Sequence, residues 1–308
     1  MQQILSCSYH LDFSRSSLSA KSKFLCPVPG YDRHFKLLEN FGIQMIPMPF
    51  QSDGPDLVSL KELLNEHKDI HGIVCVPRHS NPTGHVYSDQ NVREMFSLLK
   101  KRSNNLMILW DNAYACHDLK STESQLPIFG MAEEYDLQDN LFVIGSTSKI
   151  TLAGSGIAFF SSSQINNNKF IDYRNSLTPG PNKINQGLHV SYFKKVSLEE
   201  QMSELRQLLL PKFDLVDGHL SRLKEQGLCN FTSPSGGYFI SFDSIQARAS
   251  DIIKNCGDLG LTLLPIGSCF PYNNDPNNSN IRIAPTCPDL ATLDKCLNIF
   301  TKVVKKLN

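Results

Sequence analysis

The chain has no long apolar run and no excess of charge of either sign. None of its hydrophobic stretches approaches the roughly 20 residues that a membrane-spanning helix needs, and 30 basic residues balance 30 acidic ones. A balanced surface offers no broad attraction for nucleic acid or for a membrane. With 308 residues, 41% of them hydrophobic and 19% charged, the composition instead indicates a soluble globular protein of one large domain or two smaller ones.

The cysteines and histidines lack the spacings that disulfide frameworks and metal sites use. The nine cysteines are scattered, odd in number and contain no CxxC pair, which indicates reduced thiols in an intracellular protein, and we expect it to be cytoplasmic. The nine histidines contain no HExxH spacing, so we expect no metal site. Cys116, His117 and Asp118 are consecutive and diverge in direction, which argues against a catalytic triad built from them.

Apolar strands alternate with amphipathic helices through the first half of the chain. The clearest apolar stretches are residues 72–76, 106–110 and 141–145. They show no polar alternation, which is typical of parallel strands buried on both faces. Beyond Phe160 the pattern changes, and it includes a long helix over about 198–226. The sequence predicts an α/β fold with a mainly parallel sheet flanked by helices, plus a smaller C-terminal α+β domain, divided as 1–195 and 196–308.

Polar side chains follow three of the predicted strands. They are Asn81, the pair Asp111 and Tyr114, and Lys149 with Ser146 and Ser148. In open α/β sheets, ligands sit beyond the carboxyl ends of the strands, so these side chains are candidates for one site. Taken singly, each group also has a plain structural explanation. These are a turn at Asn81-Pro82, a helix-capping Asp111 beside a packing tyrosine, and a surface lysine after a strand.

Together, the three groups suit pyridoxal phosphate. Desolvation at the end of a buried strand lowers the pKa of a lysine, which can then form a Schiff base, here an aldimine. Asp111 would keep the pyridine nitrogen protonated, so that the ring draws electrons from the α-carbon of the substrate. Tyr114 and Asn81 would hydrogen-bond the phenolic oxygen of the ring. Ser146 and Ser148 would meet the phosphate, with help from backbone N–H groups of the turn.

These motifs, in this order, resemble those of the fold-type I aminotransferases, which depend on pyridoxal phosphate. The motifs are Asn81-Pro82-Thr83-Gly84, Asp111-x-x-Tyr114 and Ser146-x-Ser148-Lys149. The chain is more similar still to the MocR-like aspartate aminotransferase subgroup, through residues 26–35, 148–156 and 180–186. The resemblance runs from about Lys23 to the C-terminus. Its motifs are specific jointly, and each is weak alone.

The resemblance implies roles for further residues. Arg282 falls where the family's arginine clamps the substrate α-carboxylate, for which a guanidinium fork is well shaped. Gly237 belongs to a segment that approaches the substrate. Tyr31 lies where many relatives send a tyrosine to the cofactor phosphate of a neighbouring subunit, and a homodimer is implied. Without the resemblance, a strand-edge ion pair would explain Arg282, and packing explains Tyr31 equally well. No role is assigned to Lys183, Asn185 and Gln186.

Two departures from the family pattern concern the phosphate. Many relatives place a phosphate-binding arginine shortly after the lysine, and residues 154–157 offer none. Relatives also carry a long segment before Lys23, with a Gly-x-x-Ser-like turn whose following helix binds the phosphate at its N-terminus. Here residues 1–9 look at best like that following helix. We therefore expect a chain that is truncated at its N-terminus.

The resulting hypothesis is an aminotransferase that works through a Lys149 aldimine. It would move an amino group from an amino acid, aspartate in the subgroup, to a 2-oxo acid such as 2-oxoglutarate. Two alternatives stay open on the sequence. One is a truncated, weakly active or inactive relative that serves as a binding or assembly subunit. The other is a different pyridoxal-phosphate reaction, such as that of a lyase.

Overall fold

The computed structural model describes residues 1–120 and 125–308, and a seven-stranded sheet forms its centre. The strands are β1 (Lys23–Val28), β2 (Gln44–Gln51), β3 (Gly54–Pro55), β4 (Ile70–Cys75), β5 (Met107–Asp111), β6 (Leu141–Ser146) and β7 (Ala158–Ser161). Their order across the sheet is β3-β2-β1-β4-β5-β6-β7. The five inner strands pair in parallel, whereas the edge strands β3 and β7 are antiparallel to their neighbours. The predicted α/β fold with a mainly parallel sheet is confirmed.

Helices cover both faces of this sheet and continue into the second half of the chain. They are α1 (Gln2–His10), α2 (Asp32–Asn40), α3 (Leu57–Glu66), α4 (Asp89–Leu99), α5 (Ile128–Glu134), α6 (Gln164–Leu177), α7 (Lys183–Phe193), α8 (Leu198–Glu225), α9 (Ala249–Asp258) and α10 (Leu290–Leu307). A capping box formed by Ser197 and Glu200 starts the 28-residue α8, which continues through Pro211. Within residues 1–120 and 125–308, no helix is both long and apolar enough to cross a membrane.

Successive residues of β5 show why the inner strands are uniformly apolar. Ile108 and Trp110 pack into a core formed with α3, α4 and α5. Met107 and Leu109 point to the opposite face and pack into a second core with α1, α2 and α6. Because side chains alternate between the two faces of a strand, burial of both faces requires an apolar residue at every position. The uninterrupted apolar stretches of the sequence follow from this.

A second, smaller sheet is formed by the C-terminal part of the chain. Its strands are β8 (Cys229–Phe231), β9 (Ile240–Ser244) and β10 (Asn280–Ile283), paired antiparallel in the order β10-β9-β8. Phe242 of β9 packs edge-on against Phe300 of α10, with ring centroids 5.0 Å apart. Val216 of α8 and Leu119, from the segment after β5, join the same core. The small sheet therefore packs against α8 and against the segment that follows β5.

Several elements differ from the sequence prediction. β7 begins at residue 158 and runs antiparallel. The sequence predicts a strand over 238–242, whereas β9 covers 240–244. Gly237, at φ +82°, lies in the segment just before β9 and accounts for part of that shift. The strands β3 and β8 and the short helix α5 were not predicted, since two to seven residues are too few to show a periodicity. The division between 195 and 196 stays a prediction.

The fully buried position of Ile108 gives a test of this packing. Ile108→Ala should lower the free energy of unfolding by about 2–5 kcal/mol, because the substitution removes buried methyl groups and leaves a cavity. Val58, on α3, is 68% exposed, so Val58→Ala should change stability by less than about 0.5 kcal/mol. Urea denaturation followed by circular dichroism measures both. Equal losses for the two variants would contradict the assignment of Ile108 to the core.

Candidate active site

Three adjacent strands bring polar residues to one edge of the large sheet. β4, β5 and β6 lie side by side and run parallel, so their carboxyl ends share one edge. Asn81 lies shortly after β4, Asp111 ends β5 and Ser146 ends β6. The strand order thus gathers residues that are far apart in the sequence, as expected for a ligand site in an open α/β sheet.

A cleft of about 1010 Å³ opens at this edge of the sheet. Four predicted site residues line it, namely Asp111, Ser146, Ser148 and Lys149. Its remaining walls include residues 1–4 and one side of α6 as far as Arg174. The predicted amine, carboxylate and hydroxyl groups therefore face one common space, and its size suits a small organic molecule.

Asp111 is a largely buried carboxylate, with its side chain 14% exposed, and it has two hydrogen-bond partners. His34 Nε2 lies 2.8 Å from Oδ2, and the backbone N–H of Ala113 donates to Oδ1 at 3.0 Å. Burial alone would raise the pKa of Asp111. The hydrogen bond from His34, the Ala113 N–H and the charge of Lys149 outweigh burial, so the pKa is lowered overall. Asp111 is therefore ionised around neutral pH.

Sequence reasoning missed His34 as a site residue. It lies at the start of α2, directly after β1, and β1 pairs with β4 at the centre of the sheet. An available signal was the cost of burying an unpaired carboxylate at the end of β5, which requires a cation or a donor nearby. His34 supplies that donor. It follows β1, which is separated from β5 by β4 in the sheet.

Lys149 presents its amine over an aromatic ring. The distance from Nζ to the centroid of the Tyr114 ring is 4.7 Å. Burial lowers the pKa of Lys149, although the charge of Asp111 opposes this. A lowered pKa increases the fraction of neutral amine, which is the form that acts as nucleophile or base.

The turn that carries Lys149 is compact. Ser146 Oγ lies 2.8 Å from Ser148 Oγ and accepts a hydrogen bond from the Ser148 N–H at 3.1 Å. Gly156 packs against Ser148. A Cβ added at residue 156 would lie 2.2 Å from Ser148 Oγ and 2.6 Å from Ser148 Cα. A glycine is therefore required at 156, and both hydroxyls are held next to the lysine.

Arg282 reaches the large sheet from β10 of the small one. Its Nη1 donates to Asp32 Oδ1 at 3.1 Å and to Asn81 Oδ1 at 3.2 Å. The guanidinium carbon lies 4.7 Å from the centroid of the Phe239 ring. One side of the guanidinium is thus fixed, and the buried Nε–H is left without a hydrogen-bond partner among the described residues.

Tyr114 stays a neutral phenol in this environment. Burial raises its pKa, the charge of Asp111 raises it further, and hydrogen bonding with the side chain of Asn81 acts in the opposite direction. The hydroxyl of Tyr114 therefore keeps its proton at neutral pH and can donate it in a hydrogen bond. Asn81, Tyr114, Arg282 and Lys149 form a continuous set of contacts.

Five predicted residues lie outside the lining of the cleft, as far as the described residues show, namely Asn81, Tyr114, Arg282, Tyr31 and Gly237. The ring of Tyr31 contacts that of His34, with centroids 4.9 Å apart, within the same chain. Gly237 donates its N–H to the His117 carbonyl oxygen at 2.8 Å and packs against His79. The roles of Tyr31 toward a phosphate and of Gly237 toward a substrate stay predictions.

Tyr238 connects the segment before β9 to the lysine turn, and sequence reasoning missed it. Its hydroxyl donates to the Lys149 carbonyl oxygen at 3.2 Å and lies 3.1 Å from His117 Nδ1. Burial, helped by the charge of Lys149, lowers the pKa of His117 to about 3, so the ring is neutral and has a single N–H. With that proton on Nδ1, His117 donates to Tyr238 and Tyr238 donates to Lys149. No local sequence pattern reveals a contact between residues 89 positions apart.

Comparisons with known proteins give the class of protein that this fold and site define. A family model described as aspartate amino-transferase matches residues 12–307. An aspartate aminotransferase from Corynebacterium glutamicum is 37% identical over 279 residues, which cover 90% of this chain and 64% of that protein. The chain therefore belongs to the aspartate aminotransferase family, and the resemblance to fold-type I aminotransferases is confirmed.

Solved structures agree with this assignment. The crystal structure of an aspartate transaminase from C. glutamicum is similar with a TM-score of 0.92 and 34% identity, over 99% of this chain and 73% of that chain. An α-aminoadipate aminotransferase from Thermus thermophilus, complexed with N-(5'-phosphopyridoxyl)-L-leucine, has the same fold, with a TM-score of 0.82 at 20% identity over 99% of this chain and 75% of that one.

The chain spans less than two thirds of the length of the curated relatives that it matches. It covers 64% of the C. glutamicum protein. It covers 63% of a relative from Mycolicibacterium smegmatis, which is 40% identical over 271 residues and 87% of this chain.

The low pKa of His117 predicts a specific loss of stability in acid. Between pH 6.5 and about 3 the unfolded chain binds a proton at His117 that the folded chain does not, so stability falls as the pH falls through this window. The slope is up to about 1.4 kcal/mol per pH unit. His117→Asn keeps a donor for Tyr238 but cannot titrate, and its stability profile should be flatter by that amount.

Chemical denaturation at a series of pH values measures this slope. His10, which is exposed, provides the control, and His10→Asn should keep the wild-type slope. A His117 ring resonance that titrates near pH 6.5 would refute the prediction, as would equal slopes for His117→Asn and the wild type.

Proposed function

We propose that this protein is a pyridoxal-phosphate-dependent aminotransferase with aspartate as the amino donor and 2-oxoglutarate as the acceptor. The observation that carries the proposal is the single cleft that Lys149, Asp111, Ser146 and Ser148 line together. Membership in the aspartate aminotransferase family supports aspartate as the donor. The acceptor rests on the family resemblance alone.

The residues of the cleft fit the chemical groups of pyridoxal phosphate. Lys149 would hold the aldehyde carbon covalently, and ionised Asp111 would pair with the protonated ring nitrogen. The hydroxyls of Ser146 and Ser148 would bind the phosphate. Residues 154–157 contain no arginine that could bind the phosphate. Arg174 of α6 lines the same cleft and supplies a cation there. The fit extends to the substrate, because Arg282 keeps one buried N–H unpartnered within the described residues.

When bound, pyridoxal phosphate supplies an electron sink that makes the α-proton of an amino acid acidic. Displaced from the aldehyde carbon by the amine of the substrate, the amine of Lys149 would accept that proton as a general base and later return it as a general acid. Asp111, kept ionised by His34, would hold the proton on the ring nitrogen. Tyr114 and Asn81 would donate hydrogen bonds to the phenolic oxygen of the ring.

Arg282 binds and orients the substrate carboxylate in this mechanism. Its Nη1 contacts to Asp32 and Asn81 hold the guanidinium plane in place before a substrate arrives. Since the fork is fixed in advance, less conformational entropy is lost when the carboxylate binds.

We also propose a homodimer in the cytoplasm. Exposed apolar side chains lie on β7 and α7, including Phe159, Ile184 and Leu188, and a second copy of the chain would cover them. The cytoplasmic location is supported by the nine cysteines, all of which are free thiols.

A spectroscopic titration tests the assignment of Lys149. Added pyridoxal phosphate should give the purified protein a visible absorbance band, and borohydride should fix the cofactor on Lys149, where peptide mass spectrometry locates it. Lys149→Ala should abolish the band and lower transamination by about 10²–10⁴-fold, the range for removal of a general acid–base. Lys183→Ala is the matched control, since Lys183 is exposed at the start of α7, and it should keep both signals.

The outcomes separate the competing functions. A band that depends on Lys149 and shifts when aspartate is added supports transamination. A band that depends on Lys149 but produces no oxo acid from any amino acid would favour a different reaction, such as that of a lyase. Absence of a lysine-dependent band would refute the proposal and favour a binding or assembly role for this chain.

The role of Arg282 is tested by a conservative change. Arg282→Lys keeps the positive charge but loses the two-pronged geometry and the Nε donor, so KM for aspartate should rise about tenfold to a hundredfold, the value of one or two charge-assisted hydrogen bonds. Arg248→Lys is the control, because Arg248 makes an exposed ion pair with Asp251. An unchanged KM for Arg282→Lys would show that the substrate carboxylate binds elsewhere.

A further inference from the structure

His189, on α7, contacts the lysine turn on both sides of Lys149. Its Nε2 lies 3.0 Å from Thr147 Oγ1 and 2.9 Å from Thr151 Oγ1. One threonine comes two residues before Lys149 and the other two residues after it. His189 is 7% exposed, so water competes little for these contacts. The imidazole therefore lies against both arms of the turn. Thr151 Oγ1 donates its own proton to the Thr147 carbonyl oxygen at 3.1 Å, so Thr147 is the hydrogen-bond donor to the ring.

The hydrogen-bond partners determine which ring nitrogen of His189 carries the proton. Nδ1 lies 2.9 Å from the Asn185 carbonyl oxygen, which can only accept, so Nδ1 is the donor. In the neutral ring, Nε2 then has a lone pair that accepts from a threonine hydroxyl. The Ile157 N–H donates to Thr147 Oγ1 at 2.9 Å, which leaves the hydroxyl proton of Thr147 for Nε2. The ring thus donates to its own helix and accepts from the lysine turn.

A second side chain of α7 holds the far end of the same turn. Asn185 lies four residues before His189, and residues with this spacing share one face of a helix. The side-chain amide of Asn185 donates to the Ser155 carbonyl oxygen. This face of α7 therefore contacts the turn at positions 147, 151 and 155.

We propose that His189 is a positioning residue, which fixes the turn so that Lys149 presents its amine to the cleft. This inference rests on the proposed function, since it gives Lys149 a reacting partner. Among the described residues that line the cleft, His189 does not appear, so it acts through the turn. A displacement of the amine by about 1 Å can cost about a hundredfold in rate, so a loosened turn should be felt in catalysis.

Two amide substitutions distinguish the hydrogen bond at Nε2 of His189 from the one at Nδ1. Gln places its amide near the position of Nε2 and can still bond Thr147, whereas the shorter Asn reaches only the position of Nδ1. His189→Gln should therefore keep the turn in place, and His189→Asn should release it. His219→Asn is the matched control, because His219 is also a buried helical histidine, 8% exposed and 2.9 Å from Asp294 Oδ1 in the small-sheet core region.

The first measurement is amide hydrogen exchange of the cofactor-free protein over residues 147–157. His189→Asn should speed exchange there about fivefold to tenfold, the value of one lost buried hydrogen bond, and His189→Gln should stay within about twofold of the wild type. The second is the pH at which half of Lys149 is fixed to pyridoxal phosphate by borohydride. That midpoint should rise in His189→Asn, because a looser turn lets water reach the amine, and it should stay unchanged in His219→Asn.

Three results would overturn the proposal. One is unchanged exchange over 147–157 in His189→Asn, and another is identical behaviour of the Asn and Gln variants. The third is faster exchange spread evenly over the protein, which would make His189 a general stabilising residue. If the wild type fixes no pyridoxal phosphate on Lys149, the proposed function fails separately. The hydrogen-exchange result alone then tests the proposal, since faster local exchange in His189→Asn still supports the conclusion that His189 fixes the turn.

Discussion

The site depends on Asp111, a carboxylate that folding buries for the most part. A buried ionised Asp111 is costly unless it is paired, and the fold supplies His34 at 2.8 Å and a backbone N–H at 3.0 Å. The same charge acts on Lys149, where it opposes the effect of burial on the pKa of the amine. The partners of Asp111 therefore lower its pKa, whereas desolvation lowers the pKa of Lys149 against the opposing charge of Asp111.

The small sheet takes part in the site at two points. Arg282, on β10, contacts Asn81 next to the large sheet, and Tyr238, just before β9, hydrogen-bonds the main chain of Lys149. A shift of the small sheet relative to the large one would change both contacts together. The small sheet therefore contributes both to the residue proposed to bind the substrate carboxylate and to the main-chain contacts of Lys149.

The sequence reveals those parts of the site that are encoded locally. Asn81, Asp111 and Lys149 could be predicted because each follows an apolar strand, and parallel strands end at a common edge. The partner of Asp111 could not be predicted in the same way, since His34 is 77 positions away and meets it only through the strand order. The antiparallel direction of β7 was likewise hidden, because an apolar stretch indicates burial and carries no information about direction.

Lys149 combines a main chain held by hydrogen bonds with a side chain that rests against an aromatic ring. Tyr238 donates to its carbonyl oxygen from the small-sheet side, and His189 contacts the threonines on both sides of it from α7. The amine itself rests against the face of Tyr114 and makes no ion pair within 4 Å in the described parts of the chain. A general base must move between a donor and an acceptor of its proton, and four rotatable methylenes allow that movement only if their point of attachment stays still. The buried polar contacts of the turn keep this point of attachment in place, and these contacts do not involve the amine of Lys149.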